Sequence, residues 1–141
     1  LKEQNLSFAI ILFDIDHFKF INDQYGHDAG DAVLVELSAK VQSNIRSSDY
    51  FARWGGEEFM IICRKTTLTT AAEIAEQLRE LISATLLVED AIITASFGVA
   101  EVTSTADDAI DDAFKRADKA LYKAKHNGRN RVELAKSDNN S

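Results

Sequence analysis

The residues best suited to chemistry form one short stretch, in which two glycines precede two glutamates: Gly55, Gly56, Glu57, Glu58 and Phe59. Strand-like runs flank this stretch and predict a hairpin with the glycines at its tip, because glycine adopts positive φ without a steric clash. Mg²⁺ prefers oxygen ligands and commonly binds one or two carboxylates together with phosphate oxygens. The stretch therefore predicts either a magnesium and phosphate site or a plain hairpin with solvated glutamates.

A second acidic pair follows the most apolar segment of the chain. Residues 7–15 are nearly all apolar, which predicts a central strand buried on both faces, with Asp14 at its end. A carboxylate there is costly without a cation or another partner, although a simple cap or turn role also fits Asp14. Asp16 is typical of a helix N-cap. If the hairpin tip lies beside this strand end, Asp14, Glu57 and Glu58 can together hold one or two Mg²⁺ ions.

Two further groups of residues could bind the rest of a nucleotide. The backbone N–H groups of His17, Phe18 and Lys19 begin a predicted helix, and such unpaired donors attract phosphate. Asn22 and Asp31 flank a turn, where each could be a helix cap. They could also recognise guanine, because a carboxylate accepts hydrogen bonds from its ring N–H and exocyclic amino group, a pair of donors that adenine lacks.

Hydrophobic periodicity predicts the elements that would position these residues. We expect strands at 7–15, 50–54, 58–64, 91–100 and 131–134. We expect helices at 18–25, 27–46 and 107–127, and one more that begins at Thr69 with a capping box at 70–73. This order favours an α+β sandwich, in which a mixed central sheet contains a ferredoxin-like βαββαβ core and the glutamate-bearing hairpin. Residues 1–135 are expected to form one domain, and residues 136–141 a flexible tail.

Composition narrows the class of protein. The chain has 141 residues, of which 45% are hydrophobic and 28% charged, as expected for one soluble globular domain. No apolar run is long enough to insert in a membrane, and a net charge of −7 argues against nucleic-acid binding. Basic residues are concentrated between Lys115 and Arg131. They indicate a polyanionic ligand such as a nucleoside triphosphate, or a solvated helix face that suits the helix dipole.

Several blocks carry a resemblance that spacing alone does not supply. In order, they are DIDHFKFIND at 14–23, Gly26-His27, Gly30-Asp31, GGEEF at 55–59, SFGVA at 96–100, ADKALYKAK at 117–125 and GRN at 128–130. Together they resemble the GGDEF-domain family, the diguanylate cyclases, in its GGEEF variant. The match runs from about residue 7 to residue 131.

The resemblance implies a fold similar to the catalytic core of adenylyl cyclases and the polymerase palm. It also implies condensation of two GTP molecules into cyclic di-GMP with release of two pyrophosphates, assisted by two Mg²⁺ or Mn²⁺ ions per active site. Glu57 and Glu58 would be catalytic, and Glu57 would help to deprotonate the attacking 3′-hydroxyl. By position, the metal ligands would be Asp14, the Ile15 carbonyl, Glu57 and Glu58. The residues that bind guanine would be Asn22 and Asp31. The phosphate contacts would be Lys19, Lys125 and Arg129, together with the helix start at His17 and Phe18.

The resemblance further implies partners and regulation. One domain binds one GTP, so a homodimer is needed for the two attacks that close the cyclic product. Arg46 and Asp49 form an RxxD pattern that would mark an inhibitory site for cyclic di-GMP, although without the resemblance it is a surface turn.

The start of the chain leads to a further expectation. The sequence begins at Leu1, so the N-terminal helix and linker of the family, and an upstream sensor or regulatory domain, are expected to be missing. We expect the domain itself to lie in the cytoplasm, even if the full-length protein is membrane-anchored. The alternative function is a catalytically weak module that binds GTP or cyclic di-GMP and regulates a neighbouring domain.

Overall fold

Strands and helices follow one another through residues 8–102 and 109–136, the parts of the chain that the computed structural model describes. In chain order the elements are β1 (Phe8–Ile15), α1 (Phe18–Tyr25), α2 (His27–Gln42), β2 (Tyr50–Arg53), β3 (Glu58–Arg64), α3 (Leu68–Thr85), β4 (Leu87–Val88), β5 (Ala91–Ile92), β6 (Ala95–Val102), α4 (Ala109–His126) and β7 (Val132–Leu134).

A five-stranded mixed sheet has the strand order β2-β3-β1-β6-β7. β1 lies at its centre and is antiparallel to both β3 and β6, whereas β7 is parallel to β6 at one edge. The order of β2, β3, β1 and β6 is that of a βαββαβ ferredoxin-like core, to which β7 adds a fifth strand. The predicted fold class is confirmed.

Helices cover both faces of the sheet, and this explains the continuous apolar run in β1. Ala9, Ile11 and Phe13 belong to a core shared with α2 and α3, whereas Ile10 and Leu12 face a second core under α4. Successive side chains of a strand point to opposite faces, so a strand between two cores is apolar at every position. Asp14 lies two residues beyond Leu12 and therefore at the end of the face that α4 covers.

Helix α4 approaches the sheet closely at Gly98. A Cβ at this glycine would lie 2.2 Å from the Ala117 carbonyl oxygen and 2.4 Å from the Leu121 nitrogen. On its sheet-facing side the helix has small buried residues, namely Ala113, Ala117, Ala120 and Ala124. Gly98 therefore permits a close approach of the two backbones that a residue with a side chain would prevent.

Some predicted boundaries are wrong. α2 ends at Gln42 rather than at residue 46, because the side chains of Ser43 and Asn44 donate to the Ala39 and Lys40 carbonyl oxygens at 2.9 and 2.7 Å. The predicted strand 91–100 is divided, since β5 pairs with β4 in a separate two-stranded sheet while β6 joins the main sheet.

The predicted capping box at residues 70–73 is also wrong. Thr67 is the N-cap of α3, and its hydroxyl oxygen accepts a hydrogen bond from the Thr70 N–H at 3.2 Å.

Three predicted segments lie outside the described residues. They are the first residue of β1 at position 7, the start of α4 at 107–108 and the tail from 137 to 141. Within the described ranges, no helix is long and apolar enough to span a membrane.

Candidate active site

The predicted metal ligands lie where the paired strands β1 and β3 meet the hairpin tip. Asp14 and Glu58 are directly opposite each other in the antiparallel register. Directly opposed side chains share one face of a sheet, which here is the face covered by α4. Glu57 is the last residue of the tip and is half-buried. The two strands thus bring separate parts of the sequence to one site.

Asp14 is the buried acid of this site, with 2% of the residue exposed. Burial raises the pKa of its carboxyl from 3.8 to about 6, and the nearby charges of Asp16 and Glu57 act in the same direction. An ion pair between Lys125 Nζ and Asp14 Oδ2 opposes this rise. Asp14 Oδ1 is buried and has no hydrogen-bond partner. An unsatisfied buried carboxylate oxygen is unfavourable, so this atom is suited to receive a cation.

Neither tip glycine has the positive φ that the sequence predicts. Positive φ among the described glycines occurs at Gly26 and Gly128, not at Gly55 or Gly56. Gly55 instead provides space, because a Cβ there would lie 2.3 Å from Glu58 Oε1. Glycine at this position therefore allows the Glu58 carboxylate to fold over the tip.

The donor set fits a cation that arrives with a nucleotide. Within residues 8–102 and 109–136, no three His, Cys, Asp or Glu side chains are grouped so that they alone could hold a metal ion. Asp14 and Glu58 lie opposite each other, Glu57 is near enough to influence the Asp14 pKa, and the Ile15 carbonyl is next in the chain. Mg²⁺ bound by one or two carboxylates commonly completes its coordination with phosphate oxygens and water.

The predicted guanine readers lie on the adjoining helices α1 and α2. Gly26, with φ 95°, joins the two helices directly, and its N–H donates to the Asn22 carbonyl at 2.8 Å. Asn22 Oδ1 is buried without a partner, and a Cβ at Gly30 would lie only 1.8 Å from it. Asp31 follows Gly30 and is exposed. Neither Asn22 nor Asp31 caps a helix.

The predicted phosphate contacts differ in their surroundings; they are His17, Phe18, Lys19, Lys125 and Arg129. Lys125 is the one that pairs with Asp14. Lys19 is 90% exposed and pairs with Asp23 in its own helix at 3.1 Å. Arg129 is exposed and lies in the left-handed region with φ 62°. The structure therefore brings Lys125 to Asp14 and leaves Lys19 and Arg129 open to solvent.

Asp16 is not the N-cap that the sequence predicts. His17 precedes α1 without a side-chain capping bond, and the Asp16 carboxylate accepts hydrogen bonds from the Ser96 and Thr94 hydroxyls and the Asn130 N–H. These donors lie between 78 and 114 residues away along the chain. No local sequence pattern signals such contacts, which sequence reasoning therefore missed.

Arg46 and Asp49 bind each other in this structure. Arg46 Nη2 donates to Asp49 Oδ1 at 2.8 Å, and the Arg46 backbone N–H donates to Asp49 Oδ2 at 3.0 Å. The Asp49 side chain is 1% exposed, whereas that of Arg46 is 48% exposed. Arg46 Nη2 also donates to Thr66 Oγ1 at 2.7 Å, which ties this turn to the segment after β3.

Comparison with protein families matches residues 1–131 to the family described as "Diguanylate cyclase, GGDEF domain". The chain belongs to this family of cyclase domains, as the sequence predicts. Diguanylate cyclase DgcM of Escherichia coli strain K12 is 43% identical over 128 residues, which are 91% of this chain and 31% of that protein. Diguanylate cyclase A of Treponema denticola is 41% identical over 138 residues, 96% of this chain and 37% of that protein. The chain thus spans about a third of the length of these curated relatives.

Solved structures show the same fold. The active GGEEF domain of a diguanylate cyclase from Vibrio cholerae matches with a TM-score of 0.88 and 40% identity, covering 96% of this chain and 87% of that one. The GGDEF domain of DgcB from Caulobacter crescentus, in complex with c-di-GMP, matches with a TM-score of 0.85 and 35% identity. That match covers 93% of this chain and 79% of the DgcB chain.

Proposed function

We propose that this chain is a catalytic domain that condenses two GTP molecules into cyclic di-GMP and two pyrophosphates. The observation that carries the proposal is the strand end at Asp14, where a buried carboxylate oxygen lacks a partner opposite Glu58 and beside Lys125. The named activity of relatives at 41–43% identity supports the same reaction.

Each group of the site has a part in this reaction. Two Mg²⁺ or Mn²⁺ ions, held by Asp14, the Ile15 carbonyl, Glu57 and Glu58, would lower the pKa of the attacking 3′-hydroxyl and neutralise phosphate charge. Glu57, half-buried at the tip, would accept the hydroxyl proton. Asn22 Oδ1, which has no partner in the chain, and the exposed Asp31 would bind guanine.

The basic residues would act on the phosphates. Lys125 would exchange its ion pair with Asp14 for a phosphate oxygen, once other positive charge reaches that carboxylate. Arg129, with Lys19 and the start of α1 at His17 and Phe18, would contact the rest of the triphosphate. Positive charge placed there stabilises the pyrophosphate as it leaves.

The reaction requires two copies of the domain. Each site holds one GTP, and each of the two attacks joins nucleotides from opposite sites, most simply about a two-fold axis. Turnover per domain should therefore rise with concentration and with enforced dimerisation. A rate that stays strictly first-order in domain over a wide concentration range would contradict the dimeric mechanism.

Product analysis tests the reaction directly. The purified chain is incubated with GTP and Mg²⁺, and the product is identified by mass. We expect cyclic di-GMP from the wild type and from the control Glu73→Gln on the exposed face of α3, but none from Glu58→Gln. Binding of GTP or cyclic di-GMP without product would instead support a regulatory module.

We also propose that Arg46 and Asp49 form an inhibitory site for cyclic di-GMP. Here the Arg46 guanidinium contacts both carboxylate oxygens of Asp49, and a guanidinium fork and a carboxylate are the kinds of group that would suit the phosphate and the guanine of cyclic di-GMP. An upstream sensor or regulatory domain would control the meeting of two copies; the matched relatives, of which this chain spans about a third, have room for further domains. Because the substrate is GTP, the domain would act in the cytoplasm.

A further inference from the structure

The loop after α4 has three consecutive residues with positive φ. The angles are 127° at Gly128, 62° at Arg129 and 48° at Asn130. Residues other than glycine adopt the left-handed region at a conformational cost, so such a loop persists only where other contacts hold it. Arg129, a proposed phosphate contact, is in the middle of this strained loop.

Asp16 holds the loop from the end of β1. Asp16 Oδ2 accepts hydrogen bonds from the Asn130 N–H at 3.0 Å and from Thr94 Oγ1 at 2.7 Å, and Oδ1 accepts from Ser96 Oγ at 2.6 Å. Asp16 is only 5% exposed. Hydrogen bonds to a carboxylate are stronger than those between neutral groups. The loop is thereby fixed to the strand end that also carries Asp14.

Helix α3 holds the same loop from its other side. Arg79 Nη1 donates to Asn130 Oδ1 at 2.9 Å. Glu76 orients the Arg79 guanidinium through two hydrogen bonds of 2.5 and 2.9 Å, and the Arg79 side chain is 18% exposed. Both the backbone and the side chain of Asn130 are therefore fixed, each by a different element.

We propose that Asp16 is a positioning residue for the triphosphate: it fixes the Asn130 backbone and so holds Arg129 where the nucleotide phosphates bind. The inference rests on the proposed function. Asp16 has no other role in the proposed site. Both Asp16 oxygens are occupied by donors of the chain, so Asp16 acts through the loop rather than through contact with substrate.

Binding measurements on Asp16→Asn test the proposal, with Asp90→Asn in the exposed β4–β5 turn as control. We expect a loss of about tenfold in affinity for a non-hydrolysable GTP analogue, the size of one charge-assisted contact. Affinity for guanosine, which has no phosphates, should stay unchanged. Arg129→Ala should show the same pattern, and the double variant should lose no more than either single variant.

Amide hydrogen exchange gives a readout that needs no nucleotide. In Asp16→Asn, the Asn130 amide should exchange about tenfold faster or more, while the β1 and β6 amides stay protected. A protected Asn130 amide, additive losses in the double variant or an equal loss for guanosine would overturn the proposal. A wild type without GTP binding would overturn the proposed function instead, and the exchange of Asn130 would still show whether Asp16 holds the loop.

A second variant covers failure of Asp16→Asn to fold. Arg79→Gln releases the Asn130 side chain from the outer side and leaves the buried Asp16 bonds in place. Because Asp16 still holds the Asn130 backbone in this variant, we expect the affinity for the GTP analogue and the exchange of the Asn130 amide to change much less than the affinity does in Arg129→Ala. A loss of affinity as large as that of Arg129→Ala would show that Arg79 rather than Asp16 positions the loop, and it would overturn the proposal.

Discussion

Replacement of Asp14 by asparagine should change how the stability of the ligand-free domain depends on pH. Burial raises the pKa of this carboxyl from 3.8 to about 6, in spite of the ion pair with Lys125. Below pH 3.8 the carboxyl is protonated in both the folded and the unfolded chain. Between pH 3.8 and about 6, the unfolded chain releases the proton while the folded chain retains it, so the wild type loses stability as pH rises.

The magnitude follows from the two pKa values. The difference between 3.8 and about 6 corresponds to about 3 kcal/mol when the carboxyl is fully ionised in both states. An asparagine side chain cannot ionise, so the Asp14→Asn variant does not share this loss of stability. The free energy of unfolding of the variant minus that of the wild type should therefore increase by about 2 to 3 kcal/mol from pH 4 to pH 8. The gain should level off above about pH 6.

Denaturant unfolding of both proteins at several pH values, with a chelator present, measures this difference. Asp90→Asn in the exposed β4–β5 turn controls for the loss of one negative charge. Lys125→Met should extend the loss of stability to higher pH and enlarge it, because the ion pair with Lys125 lowers the pKa of Asp14 in the folded state only. Parallel stability curves for the wild type and Asp14→Asn from pH 4 to pH 8 would refute the reasoning.

Three further predictions concern the space and contacts around the site. Gly30→Ala should raise KM for GTP by about tenfold with the fold retained, because the added Cβ would displace the Asn22 amide; steady-state kinetics with circular dichroism check this. Gly98→Ala should lower the free energy of unfolding by about 3 kcal/mol or more, since its Cβ would meet the α4 backbone; chemical denaturation measures it. Arg46→Lys should abolish inhibition by cyclic di-GMP but keep activity, because lysine lacks the guanidinium fork; retained inhibition in a product titration would contradict the site at Arg46 and Asp49.

The sequence predicts the fold well because its main signals are hydrophobic. The continuous apolar run of β1, the spaced apolar residues of α2 and the order of elements lead directly to the ferredoxin-like core. Boundaries are less predictable, since they depend on single side chains. Ser43 and Asn44 end α2 early, and Thr67 rather than a later residue caps α3.

The site is predictable only in part, because much of it depends on contacts between distant segments. Acids at a strand end and a hairpin tip indicate the general location, and the strand register places Asp14 opposite Glu58. The pairing of Asp14 with Lys125, the bonds of Asp16 and the space that Gly30 leaves for Asn22 all join separate elements. Local patterns carry no information on such pairs, so the sequence suggests an N-cap for Asp16 instead.

The energetics of Asp14 connect the stability of the domain with its proposed function. A buried carboxyl with one unpartnered oxygen destabilises the ligand-free fold increasingly from pH 3.8 to about 6 and fully above that, and the single Lys125 charge offsets this only in part. A divalent cation delivered with GTP would satisfy the free oxygen and release Lys125 for the phosphates. Under the proposed function, the burial that lowers the stability of the empty domain would therefore be the same feature that favours binding of the metal and the nucleotide together.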